Sequence, residues 1–358
     1  MADPTDGQPG GTGWLWFITY TPLHIFWAGH EAVVFFFVLS GFVLALPYLK
    51  SPTPAYSSYL VKRFFRIYPP YLVAVAAAIV VNILFYRGGI ANLSHWFNII
   101  GQRPLDWSLV RDHVLFLGFF QNCKFDPVLW SLVHEMRISL VFPLLMVCVC
   151  RLNWKAGLVI AFSFGSFNWW MMHLKSFRVV HYQHDYFETI AYAGFFILGA
   201  LLAKHREALI QRFRAIPRPV RYLMVMAGIL AYTHGWWLTR SGLLRHGWVE
   251  SILRLDLVAD WGVALGIVVF ILTALSSPTA TGLLVGKAPL FLGKISYSLY
   301  LFHAICLIAF VNLLFGKIPI GIILAISAAA SFALAALSYR WVEVPAINVG
   351  RFFSRKRP

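Results

Sequence analysis

The sequence is poor in charged residues, and acidic residues are the scarcer kind. Only 12% of its 358 residues are charged, with 14 Asp and Glu against 30 Lys and Arg, whereas 59% are hydrophobic and 17% are aromatic. A soluble domain carries about 25% charged residues, so this composition excludes a soluble protein and indicates a polytopic membrane protein. In such a chain, excess Lys and Arg mark cytoplasmic loops, and we therefore expect no nucleic-acid partner.

Cysteine is also scarce, and the chain has no pattern typical of a metal site or a signal peptide. The cysteines lie mostly inside apolar runs without metal-ligand spacing, so we interpret them as packing residues and expect no metal. No Lys or Arg occurs in the first thirty residues, so the basic start of a signal peptide is absent. The four cysteines are Cys123, Cys148, Cys150 and Cys306.

Apolar runs predict an all-α integral membrane protein, a bundle of about nine transmembrane helices. When the 50–68 link is placed inside, alternation puts most Lys and Arg inside as well, so the N-terminus is expected outside and the C-terminus in the cytoplasm. The predicted spans are 32–49, 69–86, 128–150, 156–173, 188–203, 221–239, 251–275, 295–315 and 319–341. Around them we expect a disordered or interfacial segment at 1–28, a membrane domain at 29–346 and a basic cytoplasmic tail at 347–358.

The stretch from Gly29 to Tyr71 joins the first predicted span to a basic segment. In the middle of the span, the small pair Ser40 and Gly41 allows another helix to approach closely. Beyond it, Arg63 and Arg66 are three residues apart on one helix face, a spacing that suits two guanidinium groups binding one polyanion. A positive-inside anchor on lipid headgroups explains the same run, and the sequence leaves both interpretations open.

Ionisable residues inside predicted spans are candidates for function. His134 and Glu135 are adjacent and point about 100° apart, so they face one point only in a wide cavity. Glu135 is either a structural ion-pair partner, which Arg137 reaches only by bending, or a participant in chemistry. Asp256 and Asp260 share a face and suggest a proton relay or cation site, although pairing with an arginine explains them as well.

Two further features have both a functional and a structural interpretation. Tyr300 and His303 lie three apart on one helix face, where a histidine either moves protons or is a satisfied core residue. The outer segment 88–127, with Trp96, Trp107 and Asp106, is suited to a sugar-like acceptor, but an interfacial aromatic belt has the same composition.

Five separated stretches together resemble the acyltransferase-3 family of bacterial membrane acyltransferases. They run in the family's order and span about residues 29 to 346. The stretches are Phe35–Phe42 (FFFVLSGF), Lys62–Tyr71 (KRFFRIYPPY), Leu129–Glu135 (LWSLVHE), Gly293–His303 (GKISYSLYLFH) and Arg340–Pro345 (RWVEVP).

The resemblance implies transfer of an acyl group, usually acetyl, from cytoplasmic acyl-CoA to a hydroxyl of a cell-surface carbohydrate or glycolipid. It implies O-acetylation as a polysaccharide modification, in a bacterial inner membrane, with acetyl-CoA as a donor substrate rather than a permanently bound cofactor. Arg63 and Arg66 match the family pair thought to hold the CoA phosphates, and Tyr300 is expected beside the donor. Glu135, His134 and His303 are the catalytic candidates, because Glu135 and His303 match family positions.

The resemblance also implies one departure from the family pattern. Members normally begin with a further helix that carries the catalytic histidine, giving ten spans, and this sequence begins after that helix. Three explanations stay open: the chain is truncated, a group such as His30, His24 or His134 replaces the base, or the protein is inactive. A membrane transporter or exporter of a glycan or lipid-linked substrate, without chemistry, is the alternative function.

Overall fold

The computed structural model describes residues 13–50, 54–86, 88–90, 93, 97–98, 107–115, 126–173, 181–240 and 256–355. Within these ranges the chain is almost entirely helical and contains no β-strand. An α-helix satisfies its backbone hydrogen bonds internally, which a chain crossing hydrocarbon requires. The predicted all-α membrane architecture is therefore confirmed.

The α-helices range in length from 6 to 35 residues. In chain order they are α1 (Trp14–Thr19), a 3-10 turn (Pro22–Phe26), α2 (Gly29–Tyr48), α3 (Tyr56–Phe85), α4 (Trp107–Leu115), α5 (Trp130–Arg151), α6 (Trp154–Gly165), α7 (Phe167–His173), α8 (His181–Ala215), α9 (Arg218–His234), a π-helix (Gly235–Arg240), α10 (Asp256–Ser276), α11 (Pro278–Leu284), α12 (Lys287–Leu314), α13 (Ile320–Ser338), a second π-helix (Tyr339–Glu343) and α14 (Val344–Arg355).

Seven stretches of helix in the described ranges are long and apolar enough to cross a membrane. The two other predicted spans each cover two consecutive helices: 156–173 covers α6 with 12 residues and α7 with 7, and 221–239 covers α9 with 17 residues and the π-helix with 6. At about 1.5 Å per residue, α6 is too short to cross a hydrocarbon layer about 30 Å thick. The count of nine spans therefore stays a prediction. The seven stretches are Gly29–Tyr48, Tyr56–Phe85, Trp130–Arg151, Tyr186–Ala215, Val258–Ser276, Lys287–Leu314 and Ile320–Ser354.

The described chain forms two compact units. The first contains residues 54–140 and 287–358, and its core lies where α3, the start of α5 and α12 meet. Pro69 and Pro70 remove two backbone donors from α3, and the Tyr297 hydroxyl donates to the Ile67 carbonyl in the same turn (2.8 Å). The buried core residues are Ile67, Tyr71, Ala74, Val75, Ala78, Leu129, Leu132, Met136, Leu301, Phe302 and Ile305.

Helix α14 packs on α3 in the first unit. The Phe65 and Phe353 rings are stacked with centroids 6.0 Å apart, and a Cβ placed on Gly350 would lie 2.8 Å from the Phe65 Cβ. Residues 347–355 of the predicted basic tail are thus helical. The boundaries 1–28, 29–346 and 347–358 stay a prediction.

The second unit, residues 4–53 and 141–286, is built around a close crossing of α2 and α8. A Cβ on Gly41 would collide with the Phe196 carbonyl oxygen, and a Cβ on Gly199 would collide with the Val38 carbonyl oxygen. Only glycine permits backbones this close in both directions. The close approach predicted at Gly41 is therefore confirmed, with α8 as the partner helix.

We expect Gly199→Ala to lower the free energy of unfolding by about 1–3 kcal/mol, because the added methyl group must displace the Val38 backbone of α2. Gly282→Ala in α11 is the matched control, because nothing lies near its Cβ position and alanine favours helix by about 1 kcal/mol. Unfolding midpoints in detergent should thus move in opposite directions. Equal shifts for the two variants would contradict the close crossing.

Candidate functional site

A buried ion pair joins α3 to α5 in the first unit. One Arg63 guanidinium nitrogen (Nη2) donates to Glu135 Oε1 at 2.7 Å, and Nε donates to Ser139 Oγ at 3.1 Å. The side chains are only 11% (Arg63) and 3% (Glu135) exposed. Because Glu135 and Ser139 are four residues apart on α5, one guanidinium reaches both, and Tyr59 lies beside them one turn earlier on α3.

The sequence suggested Arg137 as a strained partner of Glu135, whereas the structure provides Arg63. Arg63 was expected to bind a polyanion together with Arg66, but its guanidinium is engaged by Glu135 and Ser139. Glu135 thus forms an ion pair, and its participation in chemistry stays a prediction. Ser139 was missed, although it follows Glu135 by one helical turn, and that spacing is the signal that could have found it.

Arg66 differs from Arg63 in its surroundings. Its side chain is exposed, and no hydrogen bond to it occurs among the described residues. It lies close enough to Glu135 and Glu343 to interact with both carboxylates electrostatically. Arg66 therefore offers an accessible guanidinium, a planar group that can bind a carboxylate or a phosphate through two parallel hydrogen bonds.

Glu343 belongs to the same cluster, since it lies near Arg66. Its Oε2 accepts a hydrogen bond from the Ser298 hydroxyl at 2.9 Å, and Ser298 also lies 3.3 Å from the Ser338 hydroxyl. The π-helix at Tyr339–Glu343 precedes α14 and ends at this residue. Such wide turns inside helices recur at functional sites.

Tyr300 faces the beginning of α5. Its hydroxyl donates to the Val128 carbonyl at 2.9 Å and shares a hydrogen bond with the Ser131 hydroxyl at 2.7 Å. Ser131, Glu135 and Ser139 follow one another at four-residue intervals, so the polar face of α5 continues from Tyr300 to Arg63. The Tyr300 hydroxyl is therefore engaged within the protein, and its predicted place beside the donor stays a prediction.

Asp126 lies just before α5 and is completely buried. One carboxyl oxygen accepts the Val128 backbone N–H at 3.2 Å, and the other has no hydrogen-bond partner in the described part of the chain. Burial raises the pKa of this carboxyl to about 8, against 3.8 for an ordinary aspartate. Asp126 thus holds its proton at neutral pH. It was missed because a single Asp in a loop carries no pattern.

The two predicted catalytic histidines differ in accessibility. His134 is completely buried, with its ring edge-on to Trp130 at a centroid distance of 5.9 Å. The exposed His303 has Nδ1 at 2.8 Å from the Tyr300 carbonyl oxygen, and its ring lies beside the Tyr300 ring with centroids 5.8 Å apart. Carbonyl oxygens only accept hydrogen bonds, so Nδ1 carries the proton and Nε2 is the acceptor of the neutral ring.

A second polar cluster lies in the second unit, around the start of α2. His30 Nε2 lies 2.7 Å from Asp260 Oδ1 on α10, a pair that the sequence analysis missed because 230 residues separate its members. The Trp236 indole donates to Glu31 Oε1 at 2.8 Å and stacks on the His24 ring at 3.9 Å. Among the described residues, Asp260 thus pairs with a histidine, and the proton relay, cation site and arginine pairing predicted for Asp256 and Asp260 stay predictions.

Several predicted features fall outside the described residues. They include Cys123, Trp96, Asp106 and the side chain of Asp256. In the ranges that the structure covers, no group of three or more His, Cys, Asp or Glu is arranged to hold a metal ion. The donor site predicted at Arg63 and Arg66 thus has one accessible arginine, Arg66, supported by one internal ion pair.

Comparison with known proteins agrees with the fold and the motifs. The model of the acyltransferase-3 family, described as an acyltransferase domain, matches residues 4–340. Nodulation protein 10 of Rhizobium leguminosarum bv. viciae is 24% identical over 353 residues, covering 94% of this chain and 88% of that protein. A Staphylococcus aureus (strain COL) protein named "Putative O-acetyltransferase" is 26% identical over 346 residues, covering 88% of this chain.

The chain spans about half, 52%, of the length of the staphylococcal protein. No significant match was found among solved structures. The helical membrane fold and the family match together define a membrane acyltransferase. The chain belongs to the acyltransferase-3 family, as the five sequence motifs predicted.

Proposed function

We propose that this protein transfers an acyl group, acetyl in the simplest case, from acyl-CoA to a hydroxyl of a cell-surface carbohydrate or glycolipid. The observation that carries the proposal is Arg66, an exposed guanidinium beside the buried Arg63–Glu135 pair in a chain of acyltransferase sequence. Coenzyme A is rich in phosphate, and a guanidinium binds phosphate through two parallel hydrogen bonds. The proposed setting is a bacterial inner membrane, with the donor entering from the cytoplasm.

In this proposal, residues of the first unit have different roles in binding the donor. Arg66 contacts the donor phosphates, and Arg63 is a positioning residue that Glu135 and Ser139 hold in place. Tyr300 fixes the start of α5 through Val128 and Ser131. Rigid support of this kind keeps a binding group in the geometry that the reaction needs.

The chemistry requires that the acceptor oxygen attack the thioester carbonyl while a base removes the hydroxyl proton. The C–O bond forms, the C–S bond breaks, and the departing CoA thiolate takes up a proton. Hydrogen-bond donors must stabilise the oxyanion that develops on the carbonyl. Glu135 is held in an ion pair and His134 is buried, so we assign both to support of the site, and His303 is a candidate contact through Nε2.

The test uses membranes from cells that express the chain, supplied with radiolabelled acetyl-CoA. We expect label in an alkali-labile ester on a carbohydrate or glycolipid fraction. Arg66→Ala should raise the KM for acetyl-CoA about 10–100-fold, because a charge-assisted hydrogen bond contributes about 1.5–3 kcal/mol. The matched control is Lys62→Ala, which removes an exposed charge four residues away and should change KM less than about twofold.

Two results would contradict the proposal. Movement of a solute across the membrane without consumption of thioester would favour the transporter alternative. Equal losses for Arg66→Ala and Lys62→Ala would mean that general positive charge, rather than a specific guanidinium, attracts the donor. Arg66→Lys separates the two effects further, since it keeps the charge and loses the planar fork.

A further inference from the structure

The last helical stretch of the first unit is longer than a membrane crossing requires. Helix α13, the second π-helix and α14 follow one another without a break from Ile320 to Ser354, over 35 residues. At about 1.5 Å per residue such a stretch is about 50 Å long, whereas the hydrocarbon layer is about 30 Å thick. Residues 320–339 contain no charged side chain, and Arg340 is the first charged residue after them. The apolar part is thus long enough to cross the hydrocarbon by itself, so Arg340 and α14 lie beyond its edge.

The exposed charges in this extension are all positive. Arg340 and Arg351 have exposed side chains, and neither side chain takes part in a hydrogen bond or ion pair among the described residues. Glu343 is the only acidic residue of the second π-helix and α14, and it is buried and accepts a hydrogen bond from Ser298. The neighbouring α3 exposes Lys62 and contains no acidic residue. These helices therefore attract anions and offer no exposed carboxylate to a cation.

The same extension exposes large aromatic side chains. Trp341, Phe352 and Phe353 are each more than half exposed. Gly350 instead faces α3, since a Cβ placed there would lie 2.8 Å from the Phe65 Cβ. Exposed aromatic rings next to arginines are typical of helices that lie at a membrane surface, where the rings leave the water. The exposed basic and aromatic residues of this extension, which we call the α14 surface, are Arg340, Trp341, Arg351, Phe352 and Phe353.

We infer that the α14 surface binds the headgroups of anionic phospholipids. Arg340 and Arg351 contact the lipid phosphates, and Trp341 and Phe352 lie at the boundary between the headgroups and the acyl chains. A zwitterionic headgroup fits less well, because its ammonium group would meet only cations at this surface. The inference goes beyond the proposed acyl transfer and does not depend on it.

The position of the α14 surface in the chain agrees with this assignment. A π-helix is a feature at which helices bend, so Tyr339–Glu343 allows α14 to leave the direction of α13 and follow the membrane surface. In the sequence, Arg355, Lys356 and Arg357 follow directly, and about four to eight cations beside a membrane span are typical of binding to anionic lipid. The C-terminus is predicted to lie in the cytoplasm, where the membrane surface is negatively charged.

The test titrates phosphatidylglycerol into the purified full chain in an uncharged detergent and follows the unfolding midpoint. A lipid that binds the folded chain raises the midpoint as its concentration increases, which gives an apparent dissociation constant. Phosphatidylglycerol is expected to raise the midpoint more than phosphatidylcholine does at the same concentration. Arg340→Gln/Arg351→Gln should weaken the binding of phosphatidylglycerol about 10–30-fold, because each cation at an anionic lipid surface contributes about fivefold.

Two further variants are the controls. Lys317→Gln removes an exposed cation at the opposite end of α13. It lies about 30 Å from Arg340 along the helix, well beyond the Debye length, so lipid affinity should change less than about twofold. Arg340→Lys/Arg351→Lys keeps both charges and should keep most of the affinity, because headgroup attraction depends chiefly on charge. If the glutamine variant does not fold, the wild-type comparison of phosphatidylglycerol with phosphatidylcholine still decides the inference.

Two results with lipid would overturn the inference. The first is an equal rise of the wild-type midpoint with phosphatidylglycerol and with phosphatidylcholine. The second is an unchanged affinity for phosphatidylglycerol in a folded Arg340→Gln/Arg351→Gln variant. Inorganic phosphate that stabilises the wild type as well as phosphatidylglycerol does would assign the α14 surface to a soluble anion instead.

Two other measurements test competing occupants of the α14 surface. A dimer in light scattering that dissociates in Trp341→Ala would show that a second copy of the chain covers it, and would overturn the inference. Acetyl-CoA binding is expected to be normal in Arg340→Gln/Arg351→Gln, and weakened binding would assign the two arginines to the donor site. Normal acetyl-CoA binding without any preference for anionic lipid would refute this inference and leave the proposed function standing.

Discussion

Arg63→Met is expected to lower the free energy of unfolding by about 3–5 kcal/mol. The substitution leaves the Glu135 carboxylate buried without its cation, and removing one partner of a buried pair costs about this much. It also removes the hydrogen bond to Ser139. The measurement is denaturant or thermal unfolding of the purified protein in detergent micelles.

The double variant Arg63→Met/Glu135→Gln is the decisive comparison. Removing both charges leaves no unpaired ion, so the double variant should be more stable than Arg63→Met alone. Lys62→Met, which removes an exposed charge one residue away, should change stability by less than about 0.5 kcal/mol. Additive losses in the double variant would contradict a direct ion pair.

Asp126→Asn is expected to change the pH dependence of stability. The folded-state pKa is about 8 and the ordinary value is 3.8, so the folded protein keeps a proton that the unfolded chain loses between these values. The free energy of unfolding therefore falls as pH rises through this window, by about 1.4 kcal/mol per pH unit from this group. Asparagine cannot ionise, and its side-chain oxygen can still accept the Val128 N–H.

The variant should equal the wild type near pH 4 and exceed it by about 4–6 kcal/mol near pH 8. Unfolding midpoints across this pH range, compared with an Asp112→Asn control whose side chain is 36% exposed, provide the measurement. Parallel pH profiles for wild type and Asp126→Asn would show that Asp126 is ionised and stabilised in the folded protein.

Features with a local signal were predictable from the sequence. Gly41 stands next to Ser40 inside an apolar run, and small residues there predict a close helix crossing whichever helix is the partner. The identity of that partner, α8 with Gly199, was not predictable because it depends on how two distant helices pack. The family motifs, by contrast, are local strings, and the family match over residues 4–340 covers the first four of them.

The sequence did not predict which residues of distant helices pair with one another. The sequence showed that Glu135 sits inside a span and needs a partner, but the nearest candidate in sequence, Arg137, was not the one that the fold supplies. His30 and Asp260 lie 230 residues apart, and neither has a motif that points to the other. An embedded charge thus predicts that a partner exists, and only the packing of helices decides which residue it is.

The difference between Arg63 and Arg66 shows a further limit of spacing arguments. Three residues apart, the two guanidinium groups were expected on one face, yet one is engaged inside the unit and the other is exposed. A separation of three residues rotates the side chains by about 60° from one another, which is enough to place them on opposite sides of a helix–helix contact. In the proposed donor site, Arg66 is therefore the binding arginine and Arg63 the positioning arginine.

Binding of acetyl-CoA to the purified chain in detergent, measured by calorimetry, tests the central claim most directly. The account predicts saturable binding to the wild type and to Lys62→Ala, and binding weakened about 10–100-fold in Arg66→Ala. Binding that is equally strong in Arg66→Ala, in a variant whose unfolding midpoint is normal, would contradict the assignment of Arg66 to the donor site.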